Sequence, residues 1–380
     1  MTVASAITPR FTPSSPGYLN DLLVRIAVSL QLTATQYREA VRHYQAVAKY
    51  LSEPGGLVAR YAPDIFPQGS LRIGTTVRPI GRDEYDLDLV LALLALFGTA
   101  DPVWVLDLVE RQLRAHGTYG PMVERMNRCV RLNFAGQFHL DILPARPDGA
   151  YGDTFLLVPD RRLEEWKPSN PKGYAAWFEA QSAYRRVIAM QKAIEPLPQP
   201  EGAEDKTPLQ LVVQLLKRWR DVRYDDPDLA PISIVLTTLA GHHYLGEEDP
   251  LQALIGIVRR IEAAIPPPGQ RLVVCNPAHP AEDLSERWDR NPAAYRAFVT
   301  GIRDLNSKLT TAPSLEGLPR LREFLEDLFG DAAPSALRDQ ARAIEDSRTR
   351  GGLTLLGTAS GLSTVAARGA TPVRNNTFYD

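Results

Sequence analysis

The stretch FPQGSLRIGTTVRPIGRDEYDLDLVL, residues 66–91, carries the pattern from which the fold can be read. Its second half alternates. Tyr85, Leu87, Leu89 and Leu91 fall on one side of a strand; Asp86, Asp88, Val90 and Ala92 fall on the other. The strand runs on into VLALLALF, so it belongs inside a sheet, where carboxylates are costly. Two aspartates one residue apart project from the same face, with Cα atoms roughly 6–7 Å apart. In a dry site they repel, and one of them holds a proton. A divalent cation removes the conflict. Hard oxygen ligands select Mg²⁺ or Mn²⁺, ions that pair carboxylates with phosphates. The competing reading is a solvated sheet edge; the apolar opposite face and the apolar continuation weigh against it.

A third carboxylate extends the pattern. In QFHLDILPA, His139 and Asp141 point one way and Leu140 and Ile142 the other. If that strand neighbours residues 84–91, Asp141 joins Asp86 and Asp88. Three carboxylates allow two metal ions, one for a triphosphate and one to activate an attacking hydroxyl. Gly69-Ser70 suits the same chemistry. Glycine lets the backbone approach a ligand closely, and backbone N–H groups with a serine hydroxyl suit phosphate oxygens at a helix start. Gly-Ser alone is common in loops. The order carries the reading: a Gly-Ser turn, an Asp-x-Asp strand, then a lone-Asp strand.

The surrounding chain supplies a frame. Leu19, Leu22, Leu23, Ile26 and Leu30 keep helical spacing, and ATQYREAVRHYQAVAKYL follows with Thr33 or Thr35 as its cap. VWVLDLVERQLRAHG is a third helix. RCVRLNF and QFHLDILPA make a hairpin turning at Ala135-Gly136. Helix, strand, helix and hairpin give an α+β core. From about residue 170 the chain turns helical: GYAAWFEAQSAYRRVIAMQKA, then TPLQLVVQLLKRWRDVRY, then further helices through SALRDQARAIEDS. In TPLQLVVQLLKRWRD, Leu209, Val212, Val213, Leu216 and Trp219 form the buried stripe. Lys217 lies on its flank, and Arg218 lies nearly opposite, facing solvent. A lysine there is ordinarily a solvated charge. Trp177, Tyr184, Trp219 and Tyr244 read as packing residues, though one could stack on a base.

Composition excludes several classes. A formal net charge of −2 gives no general drive toward nucleic-acid backbones or anionic membranes. Two distant cysteines, Cys129 and Cys275, make no disulfide framework. With six histidines, and His242-His243 on different helix faces, no zinc site is expected. No apolar run is long enough to span a bilayer, and no secretory pattern opens the chain, so a cytoplasmic enzyme is expected.

QGS followed by DEYDLDLVL and then HLDILP resembles the polymerase-β-like nucleotidyltransferase superfamily. The fifteen residues between Ser70 and Asp86, with GTTVRPI among them, are similar to its bacterial cGAS/DncV-like branch, the CD-NTases. WKPSNPKGYAAWF, TPLQLVVQLLKRWRD, PISIVLTTLAGHHY and NPAHPAEDLSERW extend the resemblance over roughly residues 60–300, with Asp283 where the family usually has Asn. The resemblance implies a two-lobed α+β enzyme: a mixed-sheet catalytic lobe with N-terminal helices (1–165), a helical lobe (166–348) and a loosely structured tail (349–380). It implies that Asp86, Asp88 and Asp141 hold the metal ions and catalyse, that Gly69 and Ser70 grip the nucleotide, and that Lys217 and Ser233 meet its phosphates. The expected activity is synthesis of a cyclic oligonucleotide, a dipurine, from ATP or GTP in anti-phage signalling (CBASS). A separately encoded effector would read the product, and an operon-encoded regulatory or conjugating partner would fit. A monomer without activation by double-stranded DNA is expected. The rival expectations are a nucleotidyltransferase acting on an RNA end or a protein, and a catalytically silent nucleotide-binding scaffold.

Overall fold

The computed structural model describes residues 16–78, 80, 84–96, 98, 100–182, 206–315 and 317–349, with 354–356, 361–363 and 371–372 beyond them. Helices α1 (Pro16–Ser29) and α2 (Ala34–Leu51) precede β1 (Pro63–Gln68), the single-turn α3 (Gly69–Arg72) and β2 (Tyr85–Leu93). Helix α4 (Pro102–Arg114) leads to β3 (Val123–Arg125), β4 (Val130–Phe134), β5 (Phe138–Pro147), β6 (Leu156–Asp160) and β7 (Glu165–Ser169). Then come α5 (Pro171–Gln181), α6 (Pro208–Arg223), α7 (Ser233–His243) and α8 (Pro250–Ala263). The hairpin β8 (Cys275–Asn276) and β9 (His279–Asp283) interrupts the helices, which resume with α9 (Arg287–Arg290), α10 (Pro292–Thr311), α11 (Leu318–Phe329) and α12 (Ala332–Thr349). No described helix is long and apolar enough to cross a membrane.

The strands β1 to β7 make one mixed sheet in the order β1-β2-β5-β4-β3, with β6 on β5 and β7 on β6. Strands β2 and β5 pair in parallel; β1 pairs antiparallel with β2, and β4 with β5. The alternation in β2 sorts its two faces as the sequence predicts. Tyr85, Leu87, Leu89 and Leu91 enter a core shared with Tyr44 and Val47 of α2 and Val105 and Val109 of α4. On the other face Val90 and Ala92 join Phe66, Ala145, Leu156 and Val158 in a smaller core. That second core covers only the far end of β2. Asp86 and Asp88 stand at the uncovered end.

Local signals set the helix ends. Thr33, not Thr35, caps α2: its hydroxyl accepts from Gln36 N at 3.2 Å, while Gln36 Oε1 accepts from Thr33 N at 2.9 Å. Thr207 and Gln210 repeat the device at α6. The hairpin turn forms where expected but takes in Gln137 as well as Ala135-Gly136, so Phe134 pairs with Phe138; Gly136 has φ +72°.

Four expectations need correction or qualification. Helix α1 does not join the catalytic core: Leu22, Leu23 and Ile26 pack with α6, α8 and α12 residues. An apolar helix face demands a core but does not say which of two it enters. Helix α6 is not half-exposed. Every residue from Leu209 to Trp219 is buried, Arg218 included, because α1, α7, α8 and α11 surround it. The tail was expected to be loose, but residues 354–356, 361–363 and 371–372 pair as a three-stranded antiparallel sheet. The helix expected from GYAAWF onward is described only to Gln181; its remainder, Tyr184 included, lies outside the described residues.

Ile26 is fully buried in the helical-lobe core. Ile26→Ala should cost about 2–5 kcal/mol, seen as a lower midpoint in chemical unfolding.

Candidate active site

The parallel register sets Asp88 opposite Asp141 and Asp86 opposite His139. Adjacent strands lie about 4.8 Å apart, so the lone aspartate stands beside the Asp-x-Asp pair. On the other flank β1 pairs Gln68 with Asp88. The chain leaves the sheet one residue later, at Gly69, with φ +64°. A Cβ there would stand 2.3 Å from Asp88 Oδ2. Glycine is needed for the backbone conformation and for the carboxylate beside it.

These like charges are only partly compensated. Burial pushes the Asp88 carboxyl up to about 7, with Asp141 and Asp86 adding to it and Lys217 and Arg131 opposing. Arg131, on β4 opposite Asp141, donates from Nε to Asp141 Oδ1 at 2.7 Å and from Nη2 to Oδ2 at 2.8 Å. The same Nη2 reaches Asp86 Oδ1 at 3.4 Å. Arg131 was not singled out from the sequence. A two-residue turn at Ala135-Gly136 sets residue 131 opposite Leu140; Gln137 also joins the turn, and residue 131 then falls opposite Asp141. Burial, then the Asp141 carboxylate, pushes the neighbouring Cys129 thiol up, so it stays protonated.

Lys217 crosses from the helical lobe to the segment after the Gly-Ser turn. Its Nζ donates to Thr75 O at 2.9 Å and Thr75 Oγ1 at 3.1 Å. Burial holds it down at about 7, Arg220 adding to the shift and Asp88 opposing it. Arg220 lies one turn along the same helix face and also escaped the sequence reading. It donates to Ser233 Oγ at the first turn of α7 and to Asp221 Oδ1 at 2.8 Å. Arg218, expected to face solvent, instead donates to Arg78 O at 2.9 Å.

Other polar side chains have structural partners. Arg72 pairs with Glu179 of α5, and Arg78 donates to Ser29 O. The His242 ring packs on Trp177, with centroids 5.0 Å apart. Asp283 accepts from Ser285 N at 2.8 Å and Arg271 Nη2 at 2.7 Å. Among the described residues, no three carboxylate, imidazole or thiol groups stand close enough to hold an ion as they are. Arg131 engages two of the three aspartates.

Comparison with known proteins identifies the family. Residues 18–181 match the Second Messenger Oligonucleotide or Dinucleotide Synthetase domain. The chain is 32% identical over 374 residues to the c-di-GMP synthase of Roseivirga ehrenbergii, covering 97% of this chain and 99% of that one. The chain belongs to the CD-NTase family. This CD-NTase is a nucleotidyltransferase of the kind that makes cyclic oligonucleotides. It is 28% identical over 394 residues to the cyclic dinucleotide synthase CdnG of Bradyrhizobium diazoefficiens, covering 93% of this chain and 94% of the relative. The structure of that CdnG in complex with GTP superposes with a TM-score of 0.70 at 26% identity, over 85% of this chain and 99% of the other.

Two outcomes are expected of this CD-NTase. Gly69→Ala should cost about 1–2 kcal/mol for its left-handed backbone. It should lower turnover further by displacing the Asp88 carboxylate, which product formation measures beside unfolding. Asp88 binds a proton more tightly folded than unfolded, so its contribution to stability is lost as pH rises from about 4 through 7. In chelator, Asp88→Asn should therefore melt higher than the parent at pH 8 and close to it at pH 5.

Proposed function

We propose that the enzyme condenses two GTP molecules into a cyclic dinucleotide, releasing pyrophosphate twice, at the aspartate site between the lobes. One observation carries the reaction class: Asp86, Asp88 and Asp141 converge from two adjacent parallel strands beside the Gly69-Ser70 turn. The guanine preference is supported by the full-length likeness to a c-di-GMP synthase and by the GTP complex of the CdnG relative.

Asp86, Asp88 and Asp141 would hold Mg²⁺ or Mn²⁺. The donor set is hard oxygen, its negative charge is undercompensated, and a guanidinium already bridges Asp86 and Asp141 as a cation would. When bound, such ions neutralise triphosphate charge and lower the pKa of the attacking ribose hydroxyl. The chain's own residues do the positioning. Asp86 and Asp141, which now accept from Arg131, would supply oxygen ligands to the cation together with Asp88. The backbone N–H groups at Gly69-Ser70 and the Ser70 hydroxyl face the triphosphate oxygens. Lys217, whose ammonium burial holds down at about 7, would be favoured in its charged form by arriving phosphates and act as a point charge. Ser233, at the first turn of α7, accepts from Arg220 and would meet the phosphates beside it. A ribose hydroxyl of one nucleotide attacks the α-phosphate of the other, and a second attack on the reseated linear product closes the ring. Most of the catalysis is orientation and charge placement. The product would act as a second messenger in anti-phage signalling.

Purified enzyme given Mg²⁺ and labelled GTP, ATP, CTP and UTP without RNA should yield a phosphatase-resistant cyclic dinucleotide labelled by GTP. Label found only on added RNA or protein would overturn the reading. Asp86→Ala with Asp88→Ala should abolish the product while leaving cooperative unfolding intact.

A further inference from the structure

Residues 73–78, which follow the Gly-Ser turn, lie along α6, and the carbonyls of Ile73, Gly74, Thr75, Thr76 and Arg78 are taken by side chains from that helix and its approach. Gln210 Nε2 donates to Ile73 O at 3.1 Å, and Lys206 Nζ donates to Gly74 O. Lys217 Nζ donates to Thr75 O at 2.9 Å, Gln214 Nε2 to Thr76 O at 2.8 Å and Arg218 Nη2 to Arg78 O at 2.9 Å. Positions 210, 214 and 217/218 recur at one helical turn and so share a face of α6, while Lys206 reaches in from just before the Thr207 cap. Gln210, Gln214 and Arg218 are 5%, 0% and 4% exposed. Buried polar groups are costly unless paired. An apolar row would pack α6 with less desolvation, so the polar row has a positional task.

That task reaches the nucleotide turn through Thr76. Thr75 N donates to Ser70 O at 2.8 Å, folding the segment back on the turn. Thr76 Oγ1 donates to Ser70 Oγ at 3.3 Å. A serine hydroxyl carries one proton and accepts through its lone pairs. Accepting from Thr76 leaves the Ser70 proton available for donation to another acceptor. Thr76 is itself buried, at 9% exposure, so its effect on a ligand passes through Ser70.

We propose that Thr76, anchored by Gln214, is a positioning residue for the nucleotide: it orients the Ser70 hydroxyl as a hydrogen-bond donor to the triphosphate. The inference rests on the reading of Ser70 given under the proposed function, and the experiment separates the two. A non-hydrolysable GTP analogue is titrated into the parent, Thr76→Val, Thr76→Ser, Ser70→Ala and the Ser70→Ala/Thr76→Val double variant, with steady-state KM and kcat for GTP measured in parallel. Thr76→Val should weaken analogue binding about threefold to tenfold, the size of one hydrogen bond, and raise KM more than it lowers kcat. Thr76→Ser should restore both. In the Ser70→Ala background, Thr76→Val should add nothing. Gln214→Met should reproduce the loss, again only when Ser70 is present. Parent-like affinity in Thr76→Val, or an equal loss with and without the Ser70 hydroxyl, overturns the inference while leaving the Ser70 reading intact. Parent-like affinity in Ser70→Ala overturns both.

Discussion

Asp88 and Asp141 stand opposite one another on adjacent parallel strands, and much of the surrounding structure answers to that pair of like charges. Bringing two carboxylates together inside a sheet raises the cost of ionising either one. Arg131 meets the cost from β4 with a bidentate pair of hydrogen bonds to Asp141. Lys217 contributes opposite charge from the helical lobe. Gly69 gives the Asp88 carboxylate room by having no side chain. Even so, Asp88 is left well above the ordinary carboxylate range. A site with residual negative charge and hard oxygen donors suits a cation brought in with a triphosphate.

The second dependence is between the lobes. Helix α6 is buried throughout its middle, yet it carries a polar row as well as an apolar one. The polar row holds residues 73–78 by their carbonyls, and Lys217 and Arg220 bring charge toward the aspartates from the same helix. The backbone turn that would receive a nucleotide is therefore fixed by both lobes. Helix α1 strengthens the join. It packs in the helical core, while Leu30 O accepts from Arg78 N at 2.8 Å.

Much of this was legible in advance. The period of two across Tyr85–Ala92 sorted apolar from acidic side chains correctly, because a strand offers each residue only two faces. The hairpin at Ala135-Gly136 and the Thr33 cap were readable because turns and caps are local devices. Arg131 was not readable, because the register opposite Asp141 depends on Gln137 joining the turn, and a shift of one residue moves every side chain to the other face. Arg218 was misread because a helical wheel ranks residues around one axis and does not show whether other helices cover every side. The core joined by α1 was misread for a related reason, since amphipathicity gives a direction without a partner.

The sequence by itself determined the chemistry available: three aspartates in strand patterns, a Gly-Ser turn before them, and a reaction class that their order implies. Those follow from residue type and short-range periodicity. Tertiary structure alone decided which charges stand together. The parallel β2–β5 register made a lone Asp141 the neighbour of Asp88. The burial of α6 made Lys217, Gln214 and Arg218 contacts with the segment behind Ser70, although Arg218 had read as a surface residue. Both depend on chain segments tens to more than a hundred residues apart, whose pairing is set by packing of the whole molecule and leaves no mark in any one local stretch.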